Sequence, residues 1–272
     1  MNRPVRRPIP GPHLRRGEAW GGGLRRVTLE CIAEAAAVMA TPGLAEAERV
    51  HRARVTLKRA RAVLRLCEAT GCPWARPARL RLSRLARELS RVRDAAVMGE
   101  SRRKLGLEAA NVAKVPLVGT EGWLQALATE ERKLSRQGWT DYTVRDIRRA
   151  LARMVAALAR AEATAAGGFK PSRVHAWRKR VITLREQLTV LHLRLPPRQR
   201  GLQDQLHAVA RKLGSAQDLA LLIAGEKAGA TGAAQATRLA TLRQRRHRRI
   251  KAARRLARGL TSALRETFPT DG

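Results

Sequence analysis

One helical pattern occurs twice in this chain, and it constrains the fold more than any other feature. Residues 49–66 read RVHRARVTLKRARAVLRL. Val50, Ala53, Leu57, Ala60, Leu64 and Cys67 recur at intervals of three and four, which is the apolar seam of an amphipathic helix. His51, Arg54, Lys58, Arg61 and Arg65 keep similar spacing one residue further on. One residue is about 100° round a helix, so this basic row borders the buried seam rather than opposing it. A charge that only needs water belongs on the far face. A row at the edge of a packing seam is placed to converge with rows from neighbouring helices on a shared anion.

The second copy, residues 173–191, reads RVHAWRKRVITLREQLTVL. Its seam is Val174, Trp177, Val181, Leu184, Leu188 and Leu191. His175, Arg178 and Arg185 each follow His51, Arg54 and Arg61 by 124 residues, and Leu213 and Asp218 follow Leu89 and Asp94 by the same offset. A gapless register over this much chain predicts an internal duplication. Helical periodicity and stop signals predict about ten helices, at 24–40, 44–69, 77–93, 94–107, 120–137, 143–166, 171–195, 198–213, 218–229 and 233–268. No segment shows strand alternation. The expected fold is therefore all-α: two pseudo-symmetric antiparallel helical bundles, residues 24–138 and 139–268. Residues 1–23, rich in Pro, Arg and Gly, are expected to form a flexible basic tail. Asp94 and Asp218 are expected to cap helices or to hold an arginine in position, with Gly214 as a helix stop.

Charge decides the class of partner. The chain has 56 Lys and Arg against 22 Asp and Glu, a formal net charge of +34. Such a body repels itself and calls for a polyanion. Aromatics are only 3% of residues, too few for the stacking platforms of single-strand nucleic-acid binders. The five tryptophans are scattered, and Trp177 falls on a seam, so they are expected to pack. Cys31, Cys67 and Cys72 have no metal-finger spacing, and Cys67 continues an apolar seam. No apolar run approaches the ~18 residues of a membrane span. There is no Gly-rich phosphate loop, no H-E-x-x-H and no carboxylate cluster to hold a metal. No catalytic residue, cofactor or metal is therefore expected.

Arginine meets phosphate with a planar fork and lysine with a point charge, so the paired rows suit a repeating phosphate chain. Arg84, Arg87 and Arg91, with Arg211 and Lys212 in the second half, are expected to add walls. Arg52 and Arg59 are read as outer, solvated positions. Residues 243–258, RQRRHRRIKAARRLAR, are the most basic run, with Arg246 interrupting its seam. A solvated face is the default reading there, and a secondary polyanion patch is the functional one.

The duplicated His-x-x-Arg helices, each followed by a leucine-rich helix with an Arg-Asp or Gln-Asp step, resemble the CHAD domain, the conserved histidine α-helical domain. The resemblance runs over nearly all of residues 24–268. It implies two pseudo-symmetric helical bundles and binding of inorganic polyphosphate through a basic central groove or pore. It also implies association with polyphosphate granules in some members, while the odd cysteine count, with no disulfide framework, suits a reducing cytoplasm. Residue by residue, it places His51, Arg54, Lys58, Arg61, His175, Arg178, Lys179 and Arg185 in the binding surface, and Arg65 extends the first row. The second copy departs from the family at Ile182, where a basic residue is usual, with Lys179 and Arg180 as compensation. The competing readings are non-specific nucleic-acid binding and, more weakly, an enzyme acting on polyphosphate. The second lacks acids to hold Mg²⁺, and the nearest likeness to the carboxylate motif of triphosphate tunnel enzymes, Glu46-Ala-Glu48, lies on a helix.

Overall fold

The amphipathic segments form eight α-helices in the computed structural model, which describes residues 11–104, 119–196, 199, 201–227 and 232–269, with side chains throughout except at 91–104 and 234. They are α1 (Trp20–Ala40), α2 (Glu46–Ala69), α3 (Ala75–Lys104), α4 (Thr120–Ser135), α5 (Val144–Ala166), α6 (Pro171–Val190), α7 (Gly201–Lys227) and α8 (Ala233–Thr267). A short 3₁₀ turn, His192–Arg194, follows α6. The described residues contain no strand. α5 begins 124 residues after α1, α6 125 after α2, and α7 126 after α3. The last helices break this correspondence, α4 having 16 residues and α8 35.

Two predicted helix pairs are each one continuous helix. Residues 77–93 and 94–107 were expected to be separate, but α3 runs through Asp94. Likewise α7 runs through Gly214 and Asp218. Neither aspartate caps a helix start, and Gly214 stops nothing. An internal glycine costs about 1 kcal/mol relative to alanine. The buried seam of Leu206, Val209, Leu213, Ala216 and Leu222 continues across it and outweighs that cost. The start of α5 is specified locally. Thr143 Oγ1 accepts from the Asp146 amide, and the Asp146 carboxylate accepts from the Thr143 amide, a complete capping box.

Residues 11–23 are packed rather than tail-like, and residues 1–10 of the expected tail lie outside the described residues. Leu14 is buried and its amide donates to the Val190 carbonyl at 2.8 Å. Arg26 holds Glu18 at 2.7 Å. Gly21-Gly22-Gly23 lies inside the first turns of α1 instead of ending a flexible segment. The reason is close packing. A Cβ on Gly21 would stand 2.3 Å from the Thr140 carbonyl oxygen, and one on Gly23 would stand 2.4 Å from the Leu14 side chain. Gly22 faces open space.

One core runs through both halves, from Leu24 and Leu57 to Val181, Leu213 and Leu260. α2 packs against α1, α3, α5 and α6, and α6 also packs on α5 and α7. Where α2 meets α6, Arg59 Nε lies 3.3 Å from the Glu186 carboxylate, with side-chain exposures of only 7% and 3%. The Gln187 amide donates to the Ala62 carbonyl at 3.0 Å. Arg59 is therefore not the solvated position expected from its place outside the seam. Neighbours cover most of the circumference of α2, and Glu186 supplies the counter-charge that a buried guanidinium requires. Arg52 does lie outside, paired with Glu48 at 2.6 Å. Trp177 is fully buried, as its seam position predicts. In α8 the interruption at Arg246 is resolved by a bond from its Nη2 to the Phe169 carbonyl at 2.9 Å. No helix among the described residues is long and apolar enough to cross a membrane.

Glu186→Ala strands Arg59 in the core and is expected to cost about 3–5 kcal/mol by chemical denaturation. Gly21→Ala is expected to destabilise by roughly 1–3 kcal/mol, because backbone blocks the new methyl. Gly22→Ala, one residue away, is expected to stabilise by about 0.5–1 kcal/mol. Equal effects at 21 and 22 would contradict the packing of α1 against residues 139–142.

Candidate anion-binding site

The first basic row marks the one strip of α2 that its neighbours leave open. Val50, Ala53, Thr56, Leu57, Arg59, Ala60, Ala62, Val63, Leu64, Leu66 and Cys67 are all buried, so the helix is covered on most sides. Arg54, Lys58, Arg61 and Arg65 are half-buried in the remaining strip, and His51 is exposed near its start. Arg54 reaches α3, where Nη1 donates to the Ala86 carbonyl at 3.1 Å and to the Ser90 hydroxyl. In the second half the Arg178 guanidinium lies 3.7 Å from where a Cβ on Gly214 would stand. Gly214 follows Ser90 by 124 residues, so both arginines lean on matching points of the next helix.

The electrostatics show where rows from different helices converge. Burial holds the Arg61 guanidinium below its ordinary pKa, and Arg79 and Arg87 on α3 push it further down. Arg65 is pushed down to about 10, first by burial, then by Arg79, by Arg180 on α6 and by Arg61, with Glu68 partly offsetting them. Lys179 on α6 is lowered by burial and then by Arg61, Arg87 and Arg65. Six cations from α2, α3 and α6 therefore act on one another across the boundary between the halves. Glu68 binds Arg79 at 2.8 Å and approaches Arg76 at 3.9 Å. Nε of Arg61 is buried with no hydrogen-bond partner among the described residues. Crowding half-buried cations is unfavourable unless an anion shares their space, so the arrangement favours a multivalent anion.

The structure brings Arg61, Arg65 and Lys179 together and adds Arg79, Arg87 and Arg180 to them. Arg185 turns elsewhere. It contacts the Glu186 carboxylate, and its Nη1 lies 3.4 Å from Nδ1 of His207 on α7. His175 and Arg178 are half-buried on α6, with Ile182 half-buried in the row between Arg178 and Arg185. Arg84 and Arg211 are exposed and Lys212 is half-buried. Arg91 lies on α3 outside the described side chains, as does Asp94. The sequence reading missed Arg79, because its anchor Glu68 sits on the preceding helix, and Glu186, because an acid beside an arginine reads as an ordinary surface pair.

None of the three cysteines belongs to this cluster. Cys31, Cys67 and Cys72 are free and buried. Burial pushes the Cys31 and Cys67 thiols up to about 12, far from a reactive thiolate. No group of His, Cys, Asp and Glu able to hold a metal occurs among the described residues.

The fold and this cluster define a helical-bundle protein that gathers cations from both halves. Residues 29–149 match the family model of the CHAD domain. The whole fold is also that of a solved CHAD domain, the crystal structure of the CHAD domain from the plant Ricinus communis. The TM-score is 0.61 at 20% sequence identity, covering 96% of this chain and 95% of that one. No curated protein matches the sequence.

The depressed pKa of Arg65 carries a pH signature. Its folded value, about 10, lies below its unfolded value, so the cationic form destabilises the fold. Above about pH 10 the unfolded chain holds more protons and this destabilisation fades as pH rises. A multivalent anion that relieves the repulsion is expected to raise Tm at about pH 7, and the increment should shrink above about pH 10 as Arg65 and Lys179 discharge. A constant increment across that range would place the anion elsewhere.

Proposed function

We propose that the protein binds inorganic polyphosphate, without transforming it, along the strip bounded by α2, α3 and α6. The observation that carries this reading is that Arg61, Arg65 and Lys179 are each lowered, first by burial and then by cations of neighbouring helices: Arg61 by Arg79 and Arg87, Arg65 by Arg79, Arg180 and Arg61, and Lys179 by Arg61, Arg87 and Arg65. A fold that crowds like charges loses stability, and a chain of phosphates returns it. The match of residues 29–149 to the CHAD domain family model adds support. His51, Arg54, Lys58, His175 and Arg178 line the approach, and Arg185 joins them when phosphate competes with Glu186 for its guanidinium. A cytoplasmic protein recruited to polyphosphate granules is the cellular role that this binding fits. The role proposed is that of a binding module, and among the described residues no group of His, Cys, Asp and Glu could hold a metal ion.

Length-defined polyphosphate separates this role from a structural one. Affinity should rise with chain length, because a short chain cannot engage both halves, and fall steeply with salt. Arg65→Gln and Lys179→Gln should each weaken binding by about tenfold or more, while leaving the Tm of the free protein unchanged or higher, since each removes a repelling charge. Loss of Tm in both variants with unchanged affinity would refute the site. Duplex DNA that displaces polyphosphate more readily than the reverse would favour nucleic acid as the ligand.

A further inference from the structure

The most basic surface of the molecule is not part of this strip. Residues 238–258 of α8 contain ten Lys and Arg and no Asp or Glu. Within this run Arg238 is engaged by Glu226 at 3.4 Å, Arg246 by the Phe169 carbonyl, and Arg254 lies over the Phe169 ring. Arg243, Arg245, Arg248, Arg249, Arg255 and Arg258 are exposed. α8 packs chiefly on α7 and also on α5, while the strip belongs to α2, α3 and α6. α7 packs on α3, α6 and α8, and so stands between the two basic regions.

We propose that the outer face of α8 is a second docking surface for polyphosphate, which makes each molecule bivalent and lets one long chain join several molecules. This rests on the polyphosphate reading above. The chemistry of the face favours a flexible polyanion. Between Arg243 and Arg249 the exposed arginines spread over about 240° of the helix circumference. A rigid duplex touches one side of such a helix, whereas a linear polyphosphate bends round it. The face offers no stacking aromatic and no acid to accept from a base, so it reads charge alone. Two charge-reading surfaces on one body convert chain length into cross-linking.

The test is sedimentation of the full chain with tripolyphosphate, long-chain polyphosphate or duplex DNA. It compares wild type with a variant carrying Arg→Gln at the six exposed positions. Wild type is expected to form salt-sensitive, multi-molecule assemblies with long chains and none with tripolyphosphate. The variant should still bind long chains one molecule at a time, and should need at least about tenfold more protein to assemble. The salt dependence of its binding should also be shallower. Unchanged assembly in the variant overturns the inference, as does a wild type that binds long chains without assembling. In both cases the proposed function stands, because binding remains. A wild type that binds no polyphosphate overturns both. Stronger assembly with duplex DNA than with polyphosphate overturns the choice of occupant.

Discussion

α2 packs against α1, α3, α5 and α6, and beyond its exposed first turns the basic row occupies much of what still reaches solvent. The crossing of α2 with α6 fixes the arrangement. Burial of apolar side chains drives the two helices together. The Arg59–Glu186 pair and the Gln187–Ala62 hydrogen bond set how they meet, because a misplaced crossing leaves a buried charge unpaired. With that contact in place, the flank of α6 comes close enough to α2 for Arg180 to lower Arg65 and for Arg61 and Arg65 to lower Lys179, each on top of the larger effect of burial.

The result is a division of labour among the arginines. Those that find an acid are structural: Arg59 with Glu186, Arg26 with Glu18, Arg79 with Glu68 and Arg81 with Glu130. Acids are scarce in a chain of net charge +34, and these four stand where an arginine is held. Arg61, Arg65 and Lys179 are held near one another by packing rather than by carboxylates, and they are the groups whose charge is disfavoured. Stability is thus given up where an anion would restore it.

Much of the fold was legible in the sequence. The seams of α2 and α6 appear as written, since an amphipathic period and a helical fold express the same geometry. The helix starts repeat near the offset that the matched histidines indicate. The errors had physical causes. Gly214 and the aspartates at 94 and 218 read as punctuation, but continuous burial on either side carries α3 and α7 through them. Gly21 and Gly23 read as flexible, yet they are glycine because Thr140 and Leu14 press against them. Arg59 read as exposed because the wheel of a single helix shows the position of a residue and not what lies across from it.

The sequence by itself determined an all-helical chain, two basic rows at matching helical spacing and a large excess of positive charge, because periodicity and net charge are properties of residue order and composition. Only the tertiary structure decided which cations meet. It grouped Arg61 and Arg65 with Arg79, Arg87, Lys179 and Arg180, turned Arg185 toward Glu186 and His207, and left the arginines of α8 on a separate face. Those outcomes depend on crossings between helices distant in the chain, and no local pattern encodes the distance between two side chains that only packing brings together.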